Sequence, residues 1–313
     1  MKQIFGLLAA ILIWSSSTRA EGPKIITDIA PIHSLTAQIM SGVGTPKLLI
    51  PQGISPYHYQ VRPSDFKPLS QADLVITIGP ELSPFLAEDI ADLGGDVRHL
   101  VLSELPHTLR LARRGPITAD TDRMASRDED DDGDGAVSRL NPHLWLDPEN
   151  AHYWLQVIAD ELALNDPENA VLYLANADMA GTNLDIIVDE TDNALNKAPP
   201  APFILYHDSY HYFEFRFGLE AAGVIVARDP RKPRPTSIQA RLAEWQRHIE
   251  EEGVRCIIST PYFRPAVIQA LSEGKDLQHL IIDPFGADIE AGEEFYNALI
   301  MAVGHGFQAC QTD

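Results

Sequence analysis

Cysteine is scarce in this chain: Cys256 and Cys310 are the 2 thiols among 313 residues. Two thiols can neither staple a disulfide-built mini-domain nor form a Cys-only zinc cluster. Basic residues are also short, 24 Lys and Arg against 45 Asp and Glu, for a formal charge of -21. Such a field repels phosphates and excludes a nucleic acid as the expected partner. Past the first twenty residues no apolar run approaches the ~20 residues a membrane-spanning helix needs, so no direct membrane insertion is expected. No His-Glu-x-x-His motif occurs, which removes the commonest signature of a zinc protease. Core material is plentiful by contrast. Hydrophobic residues make up 45% of the chain, enough for one large or two medium globular cores.

Residues 1–20 form a separate unit. Lys2 supplies a short positive start, residues 4–14 are an unbroken apolar run, and small residues lead to Ala20. This is the pattern of a cleaved secretory signal peptide, cut after Ala20. No Cys follows the run to carry a lipid anchor, so the mature chain is expected to be exported and untethered. In an oxidising compartment Cys256 and Cys310 could pair, with two buried free thiols as the alternative. If they pair, the closed loop contributes about 4 kcal/mol in the chain-entropy account.

The mature sequence alternates β-branched runs with helical patterns. Residues 24–28, 47–50, 74–79 and 99–102 read as buried strands, with helices over 31–41, 63–71 and 84–92 between them. Strands at 203–207, 223–228, 254–260 and 277–283, with helices at 238–252 and 265–273, repeat the pattern later. Strands separated by helices predict parallel βαβ units, and two such sets predict an α/β protein of two lobes. In the middle, Asp147-Pro148-Glu149-Asn150-Ala151 and Asp166-Pro167-Glu168-Asn169-Ala170 are two copies of one helix-start signal. Asp is placed to cap, Pro takes the first helical position, and Glu sits in the positive first turn. The second copy runs toward Lys197 with Leu184, Ile187, Val188 and Leu195 on one stripe. Unbroken, it would span about 45 Å. Gly181 is the candidate bend and Pro199-Pro200 the stop. The expected division is a signal peptide 1–20, an N-terminal lobe 21–147 including an acidic loop 118–137, linking helices 148–198, and a C-terminal lobe 199–313.

The acidic loop contains Asp128-Glu129-Asp130-Asp131-Asp132-Gly133-Asp134. Counted as a calcium loop from Asp130, it has acids at positions 1, 3 and 5 and Gly135 at 6. Position 12, however, is Asn141 rather than a bidentate Glu, and no flanking helix pair is evident. A solvated loop is the plain alternative, with weak metal scavenging as the other.

The chain has 11 His. His248 lies on a charged amphipathic pattern and is expected to face solvent. His99, His107, His152, His279 and His305 show no partner. Four positions stand apart. His58 lies in Gly53-Ile54-Ser55-Pro56-Tyr57-His58-Tyr59 after the second strand. His143 lies in Asn141-Pro142-His143-Leu144-Trp145-Leu146-Asp147-Pro148. His207 ends one later strand and Asp283 another. In open α/β sheets ligand sites gather beyond the carboxyl ends of strands, so these four can meet in a cleft between lobes. Three imidazoles and a carboxylate suit tetrahedral zinc, whereas manganese favours more oxygen ligands. Asp208 either orients an imidazole from behind or caps the following helix.

Taken in order, these residues resemble a known family. Gly53-Ile54-Ser55-Pro56, Tyr59, Arg62-Pro63-Ser64-Asp65, Ala72-Asp73-Leu74-Val75 and Gly79-Pro80-Glu81 are similar to the zinc-uptake solute-binding proteins of bacterial ABC transporters (the metal-binding cluster A-I family). So are the block from Asn141 to Pro148, His207-Asp208, Tyr212-Phe213 and Asp283-Pro284-Phe285-Gly286. The resemblance implies two α/β lobes with parallel sheets joined by a long rigid helix. It implies a periplasmic location, and zinc held between the lobes as transported ligand by His58, His143, His207 and Asp283. It further implies delivery to a membrane ABC permease, no enzymatic activity and no catalytic cofactor. A monomer is expected. The Cys256–Cys310 pairing is implied in the same way. His at 207 favours zinc, because manganese relatives usually place a carboxylate there. Two features depart from the family pattern. The acidic insert is Asp-rich and lacks His, and the family's first His falls where this chain has Tyr57, with His58 one residue later. Tyr57, His33 or water are the alternatives to His58. A secreted zinc hydrolase with Asp208 or Glu81 as base is the alternative function. An adhesin on the same fold is a third, disfavoured by the missing lipid anchor.

Overall fold

A computed structural model describes residues 22–92, 97–114, 140–226, 242–262 and 266–311. The expected signal peptide 1–20 and the expected acidic loop 118–137 lie outside these residues, as do positions 227–228, 238–241 and 265 of three expected elements. The chain begins β1 (Ile25–Thr27), α1 (Ala30–Ile39), β2 (Lys47–Leu48), α2 (Pro63–Ser70), β3 (Leu74–Thr77), α3 (Pro84–Asp92) and β4 (Arg98–Val101). Two longer helices follow, α4 (Pro148–Asn165) and α5 (Ala170–Leu195). The rest is β5 (Phe203–His207), α6 (His211–Phe217), β6 (Gly223–Val226), α7 (Leu242–Glu251), β7 (Cys256–Ser259), α8 (Ala266–Ser272), β8 (Gln278–Ile281) and α9 (Phe295–Gln311). The strands form two four-stranded sheets, β2-β1-β3-β4 and β6-β5-β7-β8, parallel throughout. The two-lobe α/β expectation holds.

β3, β5 and β7 are buried along their whole length, the signature of central parallel strands covered on both faces. β8 alternates half-buried and exposed residues, as an edge strand does. The two sheets also share a detail. Thr77 Oγ1 meets His99 Nε2 at 2.9 Å between β3 and β4, and Ser259 Oγ meets His279 Nε2 at 2.8 Å between β7 and β8. Two histidines without a visible sequence partner therefore pair with hydroxyls on the neighbouring strand. β3 stops short of the expected residue 79 because the Ile78 amide leaves the ladder and donates to the Asp28 carboxylate at 2.7 Å.

The two helix-start signals behave differently. Asp147 caps α4 by accepting from the Glu149 amide at 3.1 Å. Asp166 does not cap α5. Its carboxylate accepts from the Asn169 side-chain Nδ2 at 2.7 Å and the Tyr173 hydroxyl at 2.8 Å, and residues 167–169 form a 3-10 turn first. α5 then runs unbroken for 26 residues, about 39 Å at 1.5 Å per residue. Gly181 is no bend. It is a close approach, where a Cβ would come within 2.9 Å of His152 Nε2 on α4. α5 packs on α4 and α1 from the first half and on α9 from the second, so it is laid against both lobes.

One hydrophobic cluster runs through both halves, joining Ile25, Val75 and Leu155 to Leu205, Phe213 and Phe307. Polar bonds stitch the same seam. Trp145 Nε1 donates to the Pro284 carbonyl at 2.8 Å, Tyr296 Oη to the Trp145 carbonyl at 2.7 Å, and Ser34 Oγ to the Glu293 carbonyl at 2.7 Å. A smaller cluster fills the far face of the second sheet under α7 and α8. There the expectation for His248 fails. It is buried beside Trp245 and donates to the Ala222 carbonyl at 2.8 Å, because the apolar stripe of α7 is wide enough to take the ring inside. Cys256 and Cys310 are disulfide-bonded with Cα atoms 5.8 Å apart, tying β7 to α9.

Candidate metal site

His207 is the last residue of β5, the strand between β6 and β7, and is buried beyond the sheet's carboxyl edge. His143 comes from the other half, at the start of the 3-10 turn Leu144–Leu146. Trp145 and Phe285 pack around it, with ring centroids 5.3 and 6.3 Å away. The two imidazoles meet edge-on at 5.8 Å between centroids. Each ring is oriented from behind. His207 Nδ1 contacts Ser209 Oγ at 2.9 Å. His143 Nδ1 contacts Asn141 Oδ1 at 2.8 Å, and the His143 amide donates to the same oxygen at 3.1 Å.

Asn141 is itself held. Its Nδ2 donates to the Asp208 carbonyl at 2.8 Å and to Asp208 Oδ2 at 3.1 Å. The Asp208 carboxylate receives Arg114 through the backbone amide, Nε and Nη2 at 2.8, 2.8 and 2.6 Å. Arg114 also forks onto Glu214 at 2.9 and 2.6 Å. Asp208 thus does not cap α6. It acts on His143 through the Asn141 amide. That commitment to Arg114 and Asn141 also leaves it unsuited to the base role that a hydrolase would require. Glu81 likewise accepts from Ser103 Oγ at 3.3 Å.

Burial, then the neighbouring His207 and Arg113, push the His143 imidazole well below its ordinary range. Burial lowers His207 to about 4, opposed by Asp208 and assisted by Arg113. Both rings are therefore neutral at ordinary pH, the form that binds metal.

Asp283 follows β8 and ties its own loop. Oδ1 accepts from the Phe285 amide at 2.9 Å and Oδ2 from the Ala287 amide at 2.7 Å, with Tyr262 Oη at 3.3 Å from Oδ1. Burial, then the charge of Asp283 and the Tyr262 and Tyr57 phenols, raise the Tyr210 phenol well above its usual range. In the first-half loop, Pro56–His58 is a single 3-10 turn. The His58 side chain lies outside what is described. Tyr57 turns inward, with Oη 2.6 Å from His143 Nε2. His33 is engaged elsewhere, its Nε2 meeting the Pro46 carbonyl at 3.0 Å. Among the described residues no three His, Cys, Asp or Glu side chains converge on one point where a metal could sit. His143, His207 and Tyr57 come together, and Asp283 stands in the adjoining loop.

Sequence reasoning missed Asn141, Ser209 and Arg114. Asn141 and Ser209 lie two residues from the histidines they orient, a spacing that could have suggested them. Arg114 carried no signal.

A family model described as the periplasmic zinc-uptake complex component A matches residues 25–304. The high-affinity zinc uptake system protein ZnuA of Paracoccus denitrificans is 32% identical over 318 residues, covering 97% of this chain and 96% of that protein. The protein of that name from Yersinia pestis is 28% identical over 313 residues, covering 97% and 96%. A crystal structure of ZnuA superposes with a TM-score of 0.73 at 19% identity, covering 93% of this chain and 100% of that one. The laminin-binding adhesin of Streptococcus agalactiae gives 0.72 at 19% identity, with coverage of 93% and 100%. At that identity the two structures speak for the fold alone, whereas the family model spans most of the sequence. The chain belongs to the ZnuA family of periplasmic zinc-uptake components.

Proposed function

We propose that this chain is exported by its first twenty residues, captures a zinc ion between its lobes in the periplasm, and hands it to a membrane ABC permease. It works as a monomer, without enzymatic activity or a catalytic cofactor. The observation that carries this is the pair of buried, neutral imidazoles of His143 and His207, brought from different halves of the chain and each braced at Nδ1. Bracing one ring nitrogen aims the other at a metal, which is how ligating histidines are usually held. His58 and Asp283 complete the proposed set with these two. A carboxylate offers about four lone-pair sites, so the hydrogen bonds at Asp283 leave room for a metal.

Chelator-competition titrations of single alanine variants test the set. His143→Ala and His207→Ala should each weaken zinc by more than the ~100-fold that loss of an outer partner costs. Wild-type affinity in either variant would sink the proposal. Unchanged affinity in His58→Ala alone would remove that residue from the ligands.

A further inference from the structure

The proton positions around His143 follow from its neighbours. Asn141 Nδ2 faces two acceptors, the carbonyl and carboxylate of Asp208, so its amide can stand in one orientation only. Asn141 Oδ1 is then an acceptor, and His143 Nδ1 must carry the proton it receives. His143 Nε2 is left with a lone pair, and Tyr57, 2.6 Å away, donates its hydroxyl proton into it. That lone pair is the one through which His143 would bind zinc, and it cannot serve a hydroxyl and a metal together.

We infer that the Tyr57 hydroxyl is a placeholder for the metal: it occupies the binding nitrogen of His143 in the empty protein, and zinc enters by displacing it. This rests on the zinc-capture function proposed above. The placeholder spares the empty site a buried acceptor with no donor, an arrangement that destabilises a folded chain. It also opposes metal binding, because the hydrogen bond is lost each time zinc enters. The ring is kept near by edge contacts with His143 and Phe285, both at 6.1 Å between centroids. Phe285 lies in the Asp283 loop, so the phenol touches both walls of the site.

Tyr57→Phe keeps the ring and removes only the hydroxyl. The test compares metal-free wild type, Tyr57→Phe and His143→Ala, titrated with zinc alone against a chelator. Tyr57→Phe should bind zinc about fivefold tighter than wild type, the equivalent of one ordinary hydrogen bond. A second readout needs no variant: the ultraviolet spectrum of wild type should show no phenolate band on loading. Equal or weaker binding in Tyr57→Phe, or a phenolate band that grows with zinc, overturns the placeholder. The band would make Tyr57 a ligand instead. The two levels of the account fail separately. Should His143→Ala bind like wild type, zinc capture at this site is wrong and the placeholder with it. Should His143→Ala lose zinc while Tyr57→Phe gains nothing, only the placeholder falls.

Discussion

Charging an imidazole inside a protein means burying a cation, and His143 and His207 are both buried, with the Asp208 charge offsetting only part of that cost at His207. A consequence follows for the metal-free protein. An unfolded His titrates near 6.5, whereas folded His207 does so at about 4. Between those values this site holds more proton in the unfolded chain than in the folded one, so its contribution to stability falls as pH drops from 6.5 toward 4. The loss from His207 alone should approach about 3 kcal/mol, and His143 adds to it in the same direction. Asp28, whose carboxyl burial raises to about 7, pulls stability the other way over the same window. The urea midpoint of metal-free wild type relative to His207→Gln is therefore the quantity that should decline, and a flat difference would mean that the His207 ring is not buried neutral. The histidines were legible in the sequence because each stands in a recognisable block or at a strand end. The brace on His143 was not. Asn141 depends on Asp208, 67 residues away, and that distance closes only when the halves pack.

Elements position the site through two loops that touch. Gln52 precedes the turn carrying Tyr57 and His58, and its side-chain amide donates to the Gly286 carbonyl at 2.7 Å while reaching those of Ala287 and Ile289. The same loop is tied to Asp283 through the Ala287 amide. One side chain thus links the first-half loop to the second-half loop beside the histidines. Gln52→Leu, which cannot donate, should speed zinc release several-fold while leaving both sheets intact. Stopped-flow release into a chelator would measure this, and an unchanged rate would show that the link does not hold the metal in.

Most elements were readable from alternation and Pro or Gly punctuation. α9 was overlooked because Gly304 and Gly306 interrupt its stripe. In the folded chain they are close approaches, a Cβ at Gly304 falling 2.6 Å from the Thr191 side chain and one at Gly306 the same distance from Ile282. Those glycines serve helix packing, which no single segment reveals. For the same reason the contact that Gly181 makes with His152 could not be read from the segment.

The whole molecule joins two similarly wound sheets through a single core, with Trp145, Tyr296 and Ser34 bonded across the seam. A seam so continuous disfavours large rotation of one lobe against the other. Two-lobe architecture was evident from the repeated strand–helix pattern. The way α9 and the long α5 knit the lobes was not, because it depends on contacts far apart in sequence. The acidic excess of the chain favours approach of a cation at long range and should weaken with salt.

The central claim is selective capture of one zinc by residues from both halves. Metal-free mature protein, dialysed against equal low concentrations of zinc and manganese and then weighed by native mass spectrometry, tests it most directly. The account predicts one zinc per chain, no manganese, and an empty His207→Ala variant. A chain that retains no metal, or that keeps its zinc after His207→Ala, would contradict it.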